Sequence, residues 1–383
     1  MANLKDIEKM RAQKRRKKRA KRLLAYVIFA ALALIIFSNK EYFTPVALGQ
    51  FFRDTVAGFQ GEGEYPLALE KGVPKSFASD GNMLYMAVST ELSAYNKKGA
   101  NTYTTTHGMT TPMLDSSGRF VLCYDANGKS FLLGSKTGTI YSQTADTQIL
   151  CGAVNSGGKV AIATRSERYS SQVDVYDYAG NNIYTWYSST DYVTGLAFNG
   201  KYIAVTAVRV KDKTFYTCVY LLKLNAKKEQ FSKTFENELP VNVAISGSGV
   251  CVNTDKAYRY INKKGEVKNT VDYSSNGLLA LDSQVDSKFA VAVGSNSSPS
   301  LIQVKMLSRS GEELCSVSPG KAVLGVHASN FKIAVLTEDS LLVYDGSGEL
   351  VDTHVFSSGC SYMVGSGSSV YVQLSDSIER IKI

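Results

Sequence analysis

One four-residue pattern recurs along most of this chain: a polar residue, two variable residues, then glycine. It joins Asn96 to Gly99, Ser135 to Gly138, Asp177 to Gly180, Asn262 to Gly265, Ser308 to Gly311 and Asp345 to Gly348, with a degenerate copy (NAKK) at 225–228. Successive copies start 37 to 48 residues apart. A second turn signal runs in phase with the first, at Gly81, Gly118, Gly158, Gly200, Gly249, Lys288, Asn330 and Ser368. Short runs of Val, Ile, Tyr, Leu and Thr lie between these turns, and helical periodicity is absent from residue 64 onward. Eight copies across residues 64–383 give about 40 residues each, the length of four short strands and their turns. A repeat of that size built only of strands is a propeller blade. The chain is therefore expected to be all-β, an eight-bladed β-propeller. A seven-bladed ring is the alternative, since weak copies are easily miscounted.

The two ends of the repeat region complement each other. The last copy, residues 359–383, has room for only three strands. Residues 64–69 read as a lone strand before the first full copy. Pairing that strand beside the final one completes blade eight and leaves no open edge.

Ahead of the repeats, composition changes sharply. Residues 1–22 hold 11 Lys or Arg and two acids, which accounts for the whole formal charge of +9. The remainder is neutral overall. Fifteen uncharged apolar residues follow, from Leu23 to Phe37. At 1.5 Å per residue they span about 22 Å, short of a ~30 Å hydrocarbon core. Lys21 and Arg22 can snorkel on one side, and polar residues 38–40 can sit at the other interface. A cleaved signal peptide is the rival reading, but the small residues Ala47 and Gly49 lie too far downstream. The expected organisation is a basic cytoplasmic tail (1–22), a transmembrane signal anchor (23–38), a juxtamembrane segment (39–63) and an extracytoplasmic propeller (64–383). The lipid bilayer is thus one partner. The tail has no interleaved aromatics, so no nucleic acid is expected.

Within the juxtamembrane segment, Thr44 and Pro45 form a helix start. Leu48, Phe51, Phe52, Val56 and Phe59 share one helical face, and Gly61 is a stop. This short amphipathic helix either lies on the bilayer, packs under the domain, or pairs with another copy.

Residues 132–141 (LLGSKTGTIY) resemble a quinoprotein-type, PQQ-like propeller repeat, with Tyr141 where that family often has Trp. The segments 95–99, 176–180 and 344–348 resemble it more loosely. WD40 repeats share the architecture, although no Trp-Asp dipeptide occurs. The layout as a whole resembles an uncharacterised Gram-positive family, a domain of unknown function, of membrane-anchored WD40/PQQ-like propellers. That resemblance implies a propeller in the cell envelope and implies no chemistry. No cofactor is expected, because the single Trp, Trp186, has no clustered acidic ligands beside it.

Reactive residues are few and scattered. Cys123, Cys151, Cys218, Cys251, Cys315 and Cys360 fall in different blades without a Cys-x-x-Cys pair, which points to buried free thiols; disulfides would allow 15 pairings. His107, His327 and His354 share no metal-ligand spacing. Only His327 lies on an expected innermost strand, where it could face the channel. No Gly-x-Ser-x-Gly elbow occurs. No enzyme is expected and no catalytic or metal residue is assigned.

Loop length gives the remaining signal. In each blade, the connection between the second and third strands shares a ring face with the link to the next blade. It is long in blade three (165–171), blade four (209–214) and blade six (295–300). The first two belong to neighbouring blades and hold Arg165, Arg168, Tyr169, Arg209, Lys211 and Lys213 against Glu167 and Asp212. They are expected to be exposed and to form one basic patch that binds an acidic partner. The expected function is a protein-interaction scaffold in the bacterial envelope, with envelope proteins as partners. The alternative is a ligand-sensing or wall-polymer-binding module that takes an anionic wall polymer through the basic loops or the channel.

Overall fold

Apolar runs between the turns take two forms, and each has a place in the ring. A computed structural model describes residue 26 and residues 45–58, 61–70, 72–80, 83–247, 249–273, 275–282, 287–329 and 331–383. Second strands such as Met83–Ala87, Phe120–Asp125 and Val160–Thr164 are buried at every position. Their sheets are sandwiched between neighbouring blades, so both faces are covered and the sequence reads as a continuous apolar run. Fourth strands such as Asn101–Thr106 and Gly138–Thr144 alternate between exposed and half-buried positions, because one side meets solvent.

Among the described residues, 32 strands form eight four-stranded antiparallel sheets. Seven of them take four consecutive strands each. In the eighth, Leu67–Ala68 pairs with Ser377–Lys382, Leu67 opposite Ile378 and Ala68 opposite Ser377. The ring has eight blades, and the N-terminal strand closes it as the repeat count predicts. Apolar clusters fill the interfaces between blades. One packs Ala161, Val173 and Val175 of blade three on Val205, Cys218 and Leu222 of blade four. Each fully buried aliphatic there contributes about 1.5–3 kcal/mol.

The recurring turn has a physical basis in both of its fixed residues. Asp177 Oδ1 accepts hydrogen bonds from the backbone of Ala179 (2.9 Å) and Asn181 (2.8 Å). Asn262 and Asp345 do the same two and four residues ahead. The glycine then takes a left-handed conformation, as at Gly265 with φ of 81°. A side chain there would also strike the previous blade, since a Cβ on Gly265 would stand 2.8 Å from Phe231 Cβ. In the degenerate copy Asn225 adopts the left-handed conformation, at φ 68°.

Because strands alternate in direction, the first-to-second and third-to-fourth turns of every blade lie on one ring face. The second-to-third connections and the links between blades lie on the other. We call these the turn face and the loop face.

Preceding the ring is α1, Pro45–Ala57, which begins at Pro45 as expected. It ends at Ala57, and Phe59 lies outside the described residues. Leu48, Phe51, Phe52 and Val56 are exposed. Asp54 belongs to the same unit as the ring, Arg53–Ile383, and is 2% exposed. Arg119 Nη1 (2.8 Å), Ser135 Oγ (3.0 Å) and Thr137 Oγ1 (2.6 Å) all reach its carboxylate from turn-face segments of blade two. Asn96 Nδ2, in a turn of blade one, caps Ala57 O at 3.2 Å.

The expected membrane anchor, with Lys21, Arg22, Leu23 and Phe37, lies outside the described residues apart from Tyr26. Among the described residues, no helix is long and apolar enough to cross a membrane.

Candidate functional site

Blade three presents its second-to-third connection on the loop face, between the strands Val160–Thr164 and Ser171–Tyr176. Ser166 Oγ accepts from the backbone of Arg168 (3.4 Å) and Tyr169 (3.3 Å), which gives the segment a defined turn. Arg165, Arg168 and Tyr169 are exposed. Tyr169 stacks on Tyr187 with ring centroids 4.7 Å apart, and both rings are more than 40% exposed. Beside them runs a cleft of about 310 Å³, lined in part by Asp146, Arg165, Glu167, Arg168, Gln172 and Asp174. Tyr187 pairs directly with Gln172 across the sheet, so the tyrosine stack shares the side of blade three that forms the cleft wall. The Asp174 carboxylate is already occupied by Gln172 (2.6 Å), Thr185 (2.7 Å) and Asn182 (2.9 Å).

In blade four the structure changes the sequence reading. Residues 209–214 are largely not a loop. The strands Tyr202–Lys211 and Thr214–Lys223 continue the ladder to Lys211 opposite Thr214. Only Asp212 and Lys213 turn, both with positive φ (51° and 65°), the signature of a two-residue hairpin. Lys211 and Lys213 are exposed at the tip, and Val210 beside them is 73% exposed.

Arg209 leaves the patch altogether. Its Nε and Nη2 grip Asp191 at 2.5 and 3.0 Å, and Nη2 also meets Tyr220 Oη at 3.0 Å. Tyr220 donates a further short bond to the same carboxylate. Burial pushes the Asp191 carboxyl up, but the hydrogen bonds from Arg209, Tyr220 and Thr190 outweigh it and hold the group below its usual range. Arg209 is thus an internal strut, and its charge is spent on Asp191.

The link between blades three and four organises both segments. Ser170 Oγ donates to Ser189 O at 3.0 Å, and Asp191, two residues on, receives Arg209. Tyr187 and Tyr192, 57% exposed, flank the same link. The surface therefore carries Arg165, Arg168, Lys211 and Lys213 against Glu167 and Asp212, with Tyr169, Tyr187, Tyr192 and Val210 among them. None of the four cations makes an ion pair among the described residues. Tyr187, Tyr192 and Val210 are additions that the loop-length argument missed. The unusual ten-residue strands of blade four were the available signal.

Elsewhere, the innermost strands of blades one to five line a central cavity of about 560 Å³ that includes Asp80, Asp115, Ser117, Asn199 and Asn242. Burial pushes the Asp115 carboxyl up to about 6, against the pull of the Val154 and Ser116 backbone. His327 does not face this channel: it is 3% exposed and sits between blades. Among the described residues no three His, Cys, Asp or Glu side chains converge to hold a metal ion. All six cysteines are free, and burial pushes the thiols of Cys123 and Cys151 up to about 12.

A family model for a family of unknown function, DUF5711, matches residues 70–383, most of the chain and the whole ring from blade one onward. The chain belongs to that family. No curated protein matches it in sequence. Among solved structures, BamB from Moraxella catarrhalis is similar at 11% identity, over 83% of this chain and 96% of that one, with a TM-score of 0.55. Sqt1 from Saccharomyces cerevisiae is similar at 8% identity over 85% and 100%, with a TM-score of 0.57. AztD from Citrobacter koseri is similar at 10% over 73% and 86%, with a TM-score of 0.53. At these identities the likeness concerns the propeller fold.

Proposed function

We propose that this member of DUF5711 is a non-enzymatic protein-interaction scaffold, anchored by residues 23–38 in the bacterial cell envelope. Its basic tail stays in the cytoplasm and its propeller faces outward, because 11 positive charges precede the apolar run. The carrying observation is the loop-face surface of blades three and four. An exposed tyrosine stack and an exposed valine share this surface with four cations that make no ion pair among the described residues, the mixture of rigid aromatic area and charge that protein interfaces favour. A non-catalytic reading is supported by buried thiols pushed well above neutral pH, where they are poor nucleophiles. The second reading, an anionic wall polymer bound at Arg165 and Arg168, is favoured only by the cleft beside them.

Capture with the full-length protein from detergent-solubilised membranes tests this. Arg165→Glu, Arg168→Glu and Lys211→Glu together with Tyr169→Ala are expected to abolish recovery of a discrete protein while the melting temperature stays unchanged. Unchanged recovery would move the site elsewhere. Loss of wall-polymer binding, with protein capture intact, would favour the second reading.

A further inference from the structure

Helix α1 is amphipathic in an inverted sense. Among the described side chains of this helix the buried one is a carboxylate, Asp54, held by Arg119, Ser135 and Thr137. Its large apolar residues Leu48, Phe51, Phe52 and Val56 are 39, 51, 67 and 44% exposed. At about 100° per residue, Leu48, Phe52 and Val56 fall within about 60° of the direction opposite Asp54. Asp54 makes polar contacts, while the apolar stripe of Leu48, Phe52 and Val56 on the opposite side stays exposed.

Two magnitudes select what covers it. A 13-residue helix is about 20 Å long, and one face about 10 Å wide offers roughly 200 Å² per partner. A stable dimer needs on the order of 1,000 Å² in total, so a second copy of this helix does not suffice. The bilayer is within reach by chain length. Only residues 38–44 separate the apolar run that ends at Phe37 from Pro45, and seven residues extend at most about 25 Å.

We propose that α1 lies along the headgroup–acyl boundary of the bilayer, with Leu48, Phe52 and Val56 in lipid. This rests on the anchored reading above and adds an attachment that reading does not require.

The test uses full-length protein in phosphatidylcholine nanodiscs with a tryptophan added at Phe52 (Phe52→Trp), and separately at Leu48 (Leu48→Trp) should the first variant fold poorly. Native Trp186 serves as the internal reference, since it is 8% exposed within blade three. Replacing the lipid by its dibrominated form is expected to quench the added fluorophore at least twofold and to leave wild type unchanged. Aqueous acrylamide quenching without bromolipid quenching would overturn the proposal, as would protection from both quenchers, which means that protein covers the stripe. Extraction of the wild-type chain from native membranes by alkaline carbonate is the separate readout for the anchor. Retention there with a water-exposed fluorophore refutes only the α1 placement.

Discussion

His327 meets Asp282 across the interface of blades six and seven, with Nδ1 2.9 Å from Oδ1. The other ring nitrogen, Nε2, lies 3.0 Å from the carbonyl of Gly367 in blade eight. With the Asp282 carboxylate ionised both neighbours are acceptors, an arrangement that favours the imidazolium, in which both ring nitrogens donate. Burial pulls the imidazole pKa down, but the Asp282 hydrogen bond and charge outweigh it, and the net shift is upward. A Cβ on Gly365 would land 2.1 Å from His327 Cγ, so glycine there makes room for the ring. One histidine therefore joins three blades beside the closure.

That pair has a signed pH dependence. The folded pKa lies above the unfolded value of about 6.5, so the stabilisation is complete below about pH 6.5 and is lost as pH rises through the folded value. Proton binding that is tenfold tighter in the folded state is worth about 1.4 kcal/mol. The wild-type melting temperature is expected to fall more steeply from pH 6.5 to 9 than that of His327→Gln. Parallel profiles would mean that the ring is neutral when folded.

Arg209 and its loop neighbours should separate cleanly. Asp191 is 1% exposed, while a third of the Arg209 side chain meets solvent. Arg209→Ala is expected to cost about 2–4 kcal/mol, toward the lower end for buried pairs. Lys211→Glu or Lys213→Glu should stay within about 0.5 kcal/mol. Urea denaturation of the three variants checks this, and an Arg209→Ala protein as stable as wild type would return that charge to the surface patch.

Deleting residues 64–69 should open the ring. Leu67 and Ala68 cover the outer edge at Ile378 and Ser377, and Tyr65 packs on Tyr371 with centroids 5.8 Å apart. Size-exclusion chromatography is expected to show aggregation through the bared strand. A monomer that melts cooperatively would show that the other strands of blade eight hold the closure alone.

Two glycines distinguish backbone strain from collision. Gly200 has φ of 57° and open space around a new Cβ, so Gly200→Ala is expected to cost about 1–2 kcal/mol. Gly265→Ala adds the clash with Phe231 and should exceed it by at least about 1 kcal/mol. Equal thermal shifts would show that Phe231 yields without cost.

The ring was legible in the sequence because its information is local. Asn262 and Gly265 specify a turn within four residues, and eight in-phase turns leave little choice of architecture. Pairings across distance were not legible. Nothing in the pattern around Arg209 names Asp191, 18 residues earlier, and a two-residue hairpin at Asp212 and Lys213 resembles a polar loop when its strands are unusually long. For α1, periodicity grouped Leu48, Phe51, Phe52 and Val56 on one face. It could not say that the opposite side, through Asp54, would be the one that docks, because amphipathicity defines a face without defining which face is buried. Tyr169 was found by loop length, whereas Tyr187 was hidden in an ordinary outer strand.

Closure of blade eight by Leu67 and Ala68 also sets an order on biosynthesis. Their partner strand, Ser377–Lys382, is made some 310 residues later, so this early-made strand waits through the synthesis of all the intervening blades before its hydrogen bonds exist. Until then blades one to seven form an incomplete arc whose two end surfaces, including Leu84 and Met86 on one side and Leu341 and Val343 on the other, stay uncovered. Ring stability arrives in a single late step, and a nascent chain stalled anywhere before residue 377 leaves a sticky arc, a ready substrate for holdase chaperones and quality-control proteases.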